Sequence, residues 1–232
     1  MRRALWAILT VILGVLFVSG VGLYFSKASP ANAQDLVVAT IDGTMQTPRG
    51  EMPHATLELS SWPDSLAPAA MGGCHGESGG AHPDWVTFCP GTNLQLPANS
   101  AVTIRVRQHD GGETLNNPYF AQVVGTIDGT ATLNGETFTS IPPNKVGHTF
   151  TMHSIPSAGH DSIFVSVPLQ AADEENVKDG YPVPNIVEFT FYTGAPGKYY
   201  WNCEFPCGDG TYANFGGPMS TQGYMAGEIY VK

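Results

Sequence analysis

The chain has 232 residues, with 20 Asp and Glu against ten Lys and Arg, a net charge of −10 with neutral histidine. That balance excludes nucleic acid as a partner, because gripping a phosphate backbone takes clustered Lys and Arg. No His-Glu-x-x-His helix occurs, and the Gly-x-Ser-x-Gly match at Gly76-Glu77-Ser78-Gly79-Gly80 stands in a Gly-rich loop, so no independent catalytic activity is expected and any enzymatic role is that of an oxidoreductase subunit.

Met1-Arg2-Arg3 is followed by an apolar run from Ala4 to Phe25, in which Thr10 and Ser19 are the only polar side chains besides Trp6 and Tyr24. About 20 apolar residues cross a bilayer, and the two arginines place the N-terminus on the cytoplasmic side. Ala31-Asn32-Ala33 also fits a signal-peptidase site. Residues 1–33 are therefore expected to be an N-terminal membrane anchor or signal peptide, with an anchor favoured. Either way the rest lies on the extracytoplasmic side of the cell membrane. All 20 acidic residues and seven of the ten basic ones fall in 34–232, a net charge of −13 for that part. Such acidity keeps an exported domain soluble and suits electrostatic steering toward a basic partner.

Residues 34–100 are rich in Pro, Gly and Ser and are expected to form a loop-rich β extension. Within them Cys74 and Cys89 enclose a loop containing His75 and His82. A disulfide is the default for this pair in an oxidising compartment. A zinc site from the same four residues is the alternative, although the spacing fits no common structural zinc pattern.

From 101 to 232 the pattern is all-β. Val102, Ile104 and Val106 alternate with Thr103, Arg105 and Arg107, which marks a strand with one buried face. Runs at 35–41, 55–59, 101–107, 120–124, 148–153, 162–167, 186–192, 198–203 and 224–231 read as short strands separated by turn residues, as in a sandwich. Gln170 to Asp179 is read as a short helix carrying an acidic, solvated face. Ile141-Pro142-Pro143-Asn144 is a stiff turn leading toward His148.

The end of the chain carries the chemistry. Tyr199-Tyr200-Trp201-Asn202-Cys203-Glu204-Phe205-Pro206-Cys207-Gly208 delivers two thiols onto a turn, and Met225-Ala226-Gly227-Glu228-Ile229-Tyr230-Val231 is a closing strand with a methionine at its mouth. Together with His148-Thr149-Phe150, these segments resemble the cupredoxin superfamily, and most of all the copper domain of cytochrome c oxidase subunit II. There a strand ends in C-x-x-x-C-G, with His four residues after the second Cys and Met three further on. The resemblance spans the last 130 residues or so. It implies a Greek-key β-sandwich, copper-dependent electron transfer, and a metal site drawing on His148, Cys203, Cys207 and Met225. It also implies docking to subunits of a respiratory complex or to a basic cytochrome c.

The chain departs from the pattern in one respect: Thr211 stands four residues after Cys207, and no histidine follows His160. A second imidazole would have to come from His153 or His160. Strand alternation opposes His153, which lies an odd number of residues from His148. Met219 competes with Met225 as the thioether. The competing expectation is a metal-free cupredoxin-like module with a structural or docking role in a membrane complex, in which Cys203 and Cys207 form a disulfide.

Overall fold

The computed structural model describes residues 2–28, 36–112, 115–154, 162–206 and 216–232. The chain divides into two units, Met1–Pro30 and Ala31–Lys232. The first is one helix, α1 (Arg2–Ala28). Its described large side chains, from Trp6 through Leu23, are mostly exposed. Among the described residues no helix is long and apolar enough to cross a membrane; the continuous run of described side chains in α1 is Leu9 to Leu23.

The second unit is all-β. In chain order its strands are β1 (Leu36–Val38), β2 (Ile41–Thr47), β3 (Gly50–Trp62), β4 (Thr87–Cys89), β5 (Asn93–Leu96), β6 (Ala101–Gln108), β7 (Ala131–Leu133) and β8 (Glu136–Phe138). They continue with β9 (Val146–Ser154), β10 (Phe164–Gln170), β11 (Val177–Lys178), β12 (Tyr181–Pro182), β13 (Asn185–Tyr192), β14 (Gly197–Asn202) and β15 (Ala226–Val231). One sheet runs β1-β5-β15-β14-β9-β10; the other runs β2-β3-β6-β13-β7-β8, with β4 also paired to β3. The pairs β1/β5, β5/β15 and β3/β6 are parallel, so each needs the chain to cross over rather than turn back in a hairpin.

β6 behaves as its alternation requires. Val102, Ile104 and Val106 are buried, while on the outer face Arg107 reaches Glu58 at 3.0 Å and Arg105 reaches Glu188 at 3.3 Å. Buried side chains of the two sheets form one core, including Leu57, Ile104, Phe189, Phe150, Trp201 and Ile229. Each large side chain fully withdrawn from water contributes about 1.5–3 kcal/mol. Phe150 stacks on Trp201, with ring centroids 4.7 Å apart, and Trp201 donates its indole N–H to the Thr92 carbonyl at 2.7 Å. That bond removes the one polar cost of burying the ring.

The strands expected at 101–107, 148–153, 162–167, 186–192, 198–203 and 224–231 correspond to β6, β9, β10, β13, β14 and β15, with ends shifted by up to three residues. Three expectations need correction. The run at 120–124 makes only isolated bridges, Gln122 to Ser140 and Val124 to Ser166. Residues 170–179 are not a helix: the Asp173 carboxylate and carbonyl cap a turn by accepting from the N–H groups of Glu175 and Asn176, and a β11–β12 hairpin follows. The stretch 36–100 is less loop-like than its composition suggests. β3 pairs along eight residues with β6, and β5 sits between β1 and β15, so this stretch supplies strands to both sheets.

Cys74 and Cys89 are joined, with Sγ atoms 2.06 Å apart. The bond consumes both thiolates that a zinc site would have used. It fastens the 74–89 loop to β4, which is paired with the end of β3.

Candidate metal centre

Two strands of the first sheet and one loop of the second converge on Cys203. β14 ends at Asn202, and Cys203 follows it with its N–H on the Met225 carbonyl at 3.0 Å. β9 lies beside β14, pairing Thr151 with Asn202. A short turn at Pro143–Lys145, with the Lys145 N–H on the Pro142 carbonyl, starts β9 at Val146 and so fixes where His148 falls. The proline-rich turn therefore works as its sequence suggests: it sets the register that brings residue 148 next to residue 203.

Cys203 and His148 are both fully buried. The Cys203 Sγ lies 3.8 Å from His148 Nδ1. It accepts from the Thr149 backbone N–H at 3.4 Å and donates to the Phe205 carbonyl at 3.4 Å. On the far side of the ring, His148 Nε2 donates to Asp110 Oδ2 at 2.6 Å. The ring is thus clamped, with one nitrogen committed to a carboxylate and the other facing sulfur.

Electrostatics follow from this clamp. Burial alone would lower the His148 pKa, but the Asp110 carboxylate and Cys203 outweigh it and raise it to about 10. Burial would raise the Asp110 pKa, yet hydrogen bonds from His148 and from the N–H groups of Gly112 and Gly111 hold it below its ordinary value. Both shifts favour the ionised forms, carboxylate and imidazolium, in the metal-free protein.

The donor chemistry fits a thiophilic metal ion. One ion bound by a thiolate at ~2.3 Å and an imidazole at ~2.0–2.1 Å, the lengths zinc shows, holds the two donors about 3.5–3.8 Å apart at tetrahedral to trigonal angles. The observed separation of 3.8 Å is in that range. A metal-ligating histidine also commonly donates its second N–H to a carboxylate. The same Cys–His–Asp order serves nucleophilic catalysis elsewhere, but zero exposure of both Cys203 and His148 leaves their described surroundings closed to a substrate.

The other expected ligands are placed unequally. Cys207, Thr211 and His160 lie outside the described residues. Met225 and Met219 are both buried in the core cluster that contains Cys203. Their segments meet where the Met225 N–H bonds the Pro218 carbonyl at 3.0 Å. His153 does not join His148: it sits opposite Phe164 and Tyr200 at the other end of β9, five residues or roughly 17 Å along the strand. Among the described residues no group of three or more His, Cys, Asp or Glu could hold a metal ion. Gly227, the glycine of the closing strand, is required sterically, because a Cβ there would lie 1.8 Å from the Thr92 carbonyl oxygen of the adjoining strand region.

Asp110 was missed in the sequence. It lies 38 residues from His148, and the one available signal is the His109-Asp110-Gly111-Gly112 turn that ends the alternating strand β6.

No protein-family model matches the chain, and no curated protein matches it by sequence. Among solved structures it is similar to rusticyanin from Thiobacillus ferrooxidans, at 13% identity over 93% of this chain and 94% of that one, TM-score 0.37. It is similar to auracyanin B, at 15% identity over 84% of this chain and 97% of that one, TM-score 0.35. It is also similar to auracyanin A, a "blue" copper protein from Chloroflexus aurantiacus, at 13% identity over 77% and 99%, TM-score 0.33.

Proposed function

We propose that the chain is an exported, membrane-anchored cupredoxin that carries electrons through copper. The observation that carries this reading is the 3.8 Å approach of His148 Nδ1 to Cys203 Sγ, with the ring held from behind by Asp110. On this reading His148 and Cys203 hold the ion, Cys207 adds a second sulfur, and Met225 supplies a weak thioether, with Met219 the competing choice. Soft sulfur and imidazole donors of this kind favour copper. Bound there, copper would exchange one electron between Cu(I) and Cu(II).

The protein's own part is rigidity. β9 and β14 are hydrogen-bonded neighbours, so His148 and Cys203 ride on one sheet and need little movement when the charge at the site changes. The Thr149 N–H on Cys203 Sγ favours the thiolate. Burial keeps water from the sulfur.

The apolar run of α1, with large side chains exposed along it, supports anchoring in the cell membrane and a site on the extracytoplasmic side. Exposed Asp173, Glu174 and Glu175 adjoin the Gly111 turn next to Asp110. They support steering toward a basic cytochrome c, and with it a role resembling subunit II of a respiratory haem-copper oxidase. One observation favours a second reading, a metal-free docking module: His153 is far along β9, and no histidine follows His160.

Copper titration of the reduced full-length protein in detergent separates the two. One or two tightly retained coppers with an intense visible thiolate band and a reversible potential support electron transfer. No retained copper, with Cys203 and Cys207 joined in the protein as isolated, supports the docking module.

A further inference from the structure

Resting on the copper reading, we propose that Asp110 is a positioning residue that sets the affinity and potential of the centre by holding His148 with a fixed negative charge. The carboxylate is itself built into the fold. Its Oδ2 accepts from the Gly112 N–H at 3.0 Å as well as from His148. The Asp110 carbonyl accepts from Gln108 Nε2 at 3.0 Å and from the Ala172 N–H at 2.9 Å. Gln108 is in turn bonded through Oε1 to the Ser61 hydroxyl of β3.

Packing closes the arrangement. Gly112 has φ +67°, and a Cβ there would lie 2.3 Å from the Gly147 Cα. The 110–112 turn therefore presses directly on the backbone one residue before His148. Both steric requirements, the positive φ and the close approach, select glycine. A chain of contacts thus runs from Ser61 through Gln108 and Asp110 to His148 and Cys203, linking the second sheet to a ligand carried by the first.

Two consequences follow from the carboxylate's charge. An anion on the far nitrogen makes the imidazole a stronger donor, and loss of such partners typically costs about 10–100-fold in metal affinity. It also stabilises the more positive oxidised ion, so it holds the potential down. Asp110→Asn keeps the shape and an acceptor oxygen but removes the charge.

The test compares copper-loaded full-length protein, D110N and Asp110→Glu. The expected result is that D110N still shows the visible band, binds copper about 10–100-fold more weakly and has a higher potential, while the Glu variant lies nearer the wild type in potential. In wild-type Cu(I) protein, the His148 Nε2 proton should appear as a slowly exchanging imidazole resonance, which needs no variant to fold. Unchanged affinity and potential in D110N would overturn the proposal while leaving the copper reading intact, as would the absence of that resonance. A wild type that retains no copper would instead overturn the copper reading.

Discussion

Two regions of this molecule bury a histidine next to a cysteine, one in space and one in sequence, and they treat it in opposite ways. His148 faces Cys203 and has a carboxylate behind it. His75 follows Cys74, whose sulfur is tied to Cys89, and its Nε2–H meets only neutral groups, the Gly223 carbonyl at 2.9 Å and the Thr87 hydroxyl at 2.8 Å. Among the described residues its buried Nδ1, next to Gly80, has no hydrogen-bond partner. Burial lowers the His75 pKa, and the Gly223 carbonyl only partly opposes it. One histidine is thereby shifted toward its charged form and the other toward its neutral form. The partner decides: a carboxylate makes a site with a charge to balance, while a carbonyl and a disulfide make a brace.

Breaking the first region should do the most to function. Cys203→Ser is expected to abolish any coloured copper centre; a band that persists in the visible spectrum contradicts the ligand assignment. His148→Ala is expected to lose tight copper binding and to destabilise the metal-free protein by about 3–5 kcal/mol, because Asp110 is left as an unbalanced buried charge. Denaturant unfolding with unchanged slope checks the size of that loss.

Breaking the second region should cost stability and leave the chemistry alone. Replacing both Cys74 and Cys89 by Ser is expected to lower stability by about 3 kcal/mol, the loop-closure value for a separation of this size, with no change in copper stoichiometry or band position. A changed band would mean that the brace and the site are coupled.

The smallest and sharpest contrast is in pH. His148, with its pKa raised from 6.5 to about 10, contributes stability that is full below pH 6.5 and is lost as pH rises through about 10. His75 and His109 are both lowered from 6.5, chiefly by burial. The unfolded chain therefore takes up protons before the folded one as pH falls below 6.5, and stability is lost on that side. Unfolding free energies of the metal-free protein across pH 5 to 10 should fall in both directions from a maximum near 6.5. His75→Gln should flatten the acid side alone.

The parts legible in the sequence are those where one local pattern dictated the answer. β6 and β13 alternate cleanly because each has one face on the core, and the Cys74–Cys89 pair is the default for two cysteines read as lying in an oxidising compartment. Gly227 stands in the closing strand read by resemblance, and its steric reason is the Thr92 carbonyl pressed against it. What was not legible depends on long-range pairing. β5 is four residues in a proline-rich stretch, held as a strand by parallel neighbours on both sides. The acidic run at 173–175 resembles a helix face but is capped as a turn by Asp173. Asp110 reaches His148 only because the end of β6 and the start of β9, in different sheets, lie side by side.

The most direct test of the central claim is copper K-edge X-ray absorption on the copper-loaded full-length protein. The account predicts a sulfur shell together with imidazole scattering, both weakened or lost in the His148→Ala and Cys203→Ser variants. A first shell of nitrogen and oxygen alone, unaffected by either variant, would contradict it and place the copper on surface groups instead.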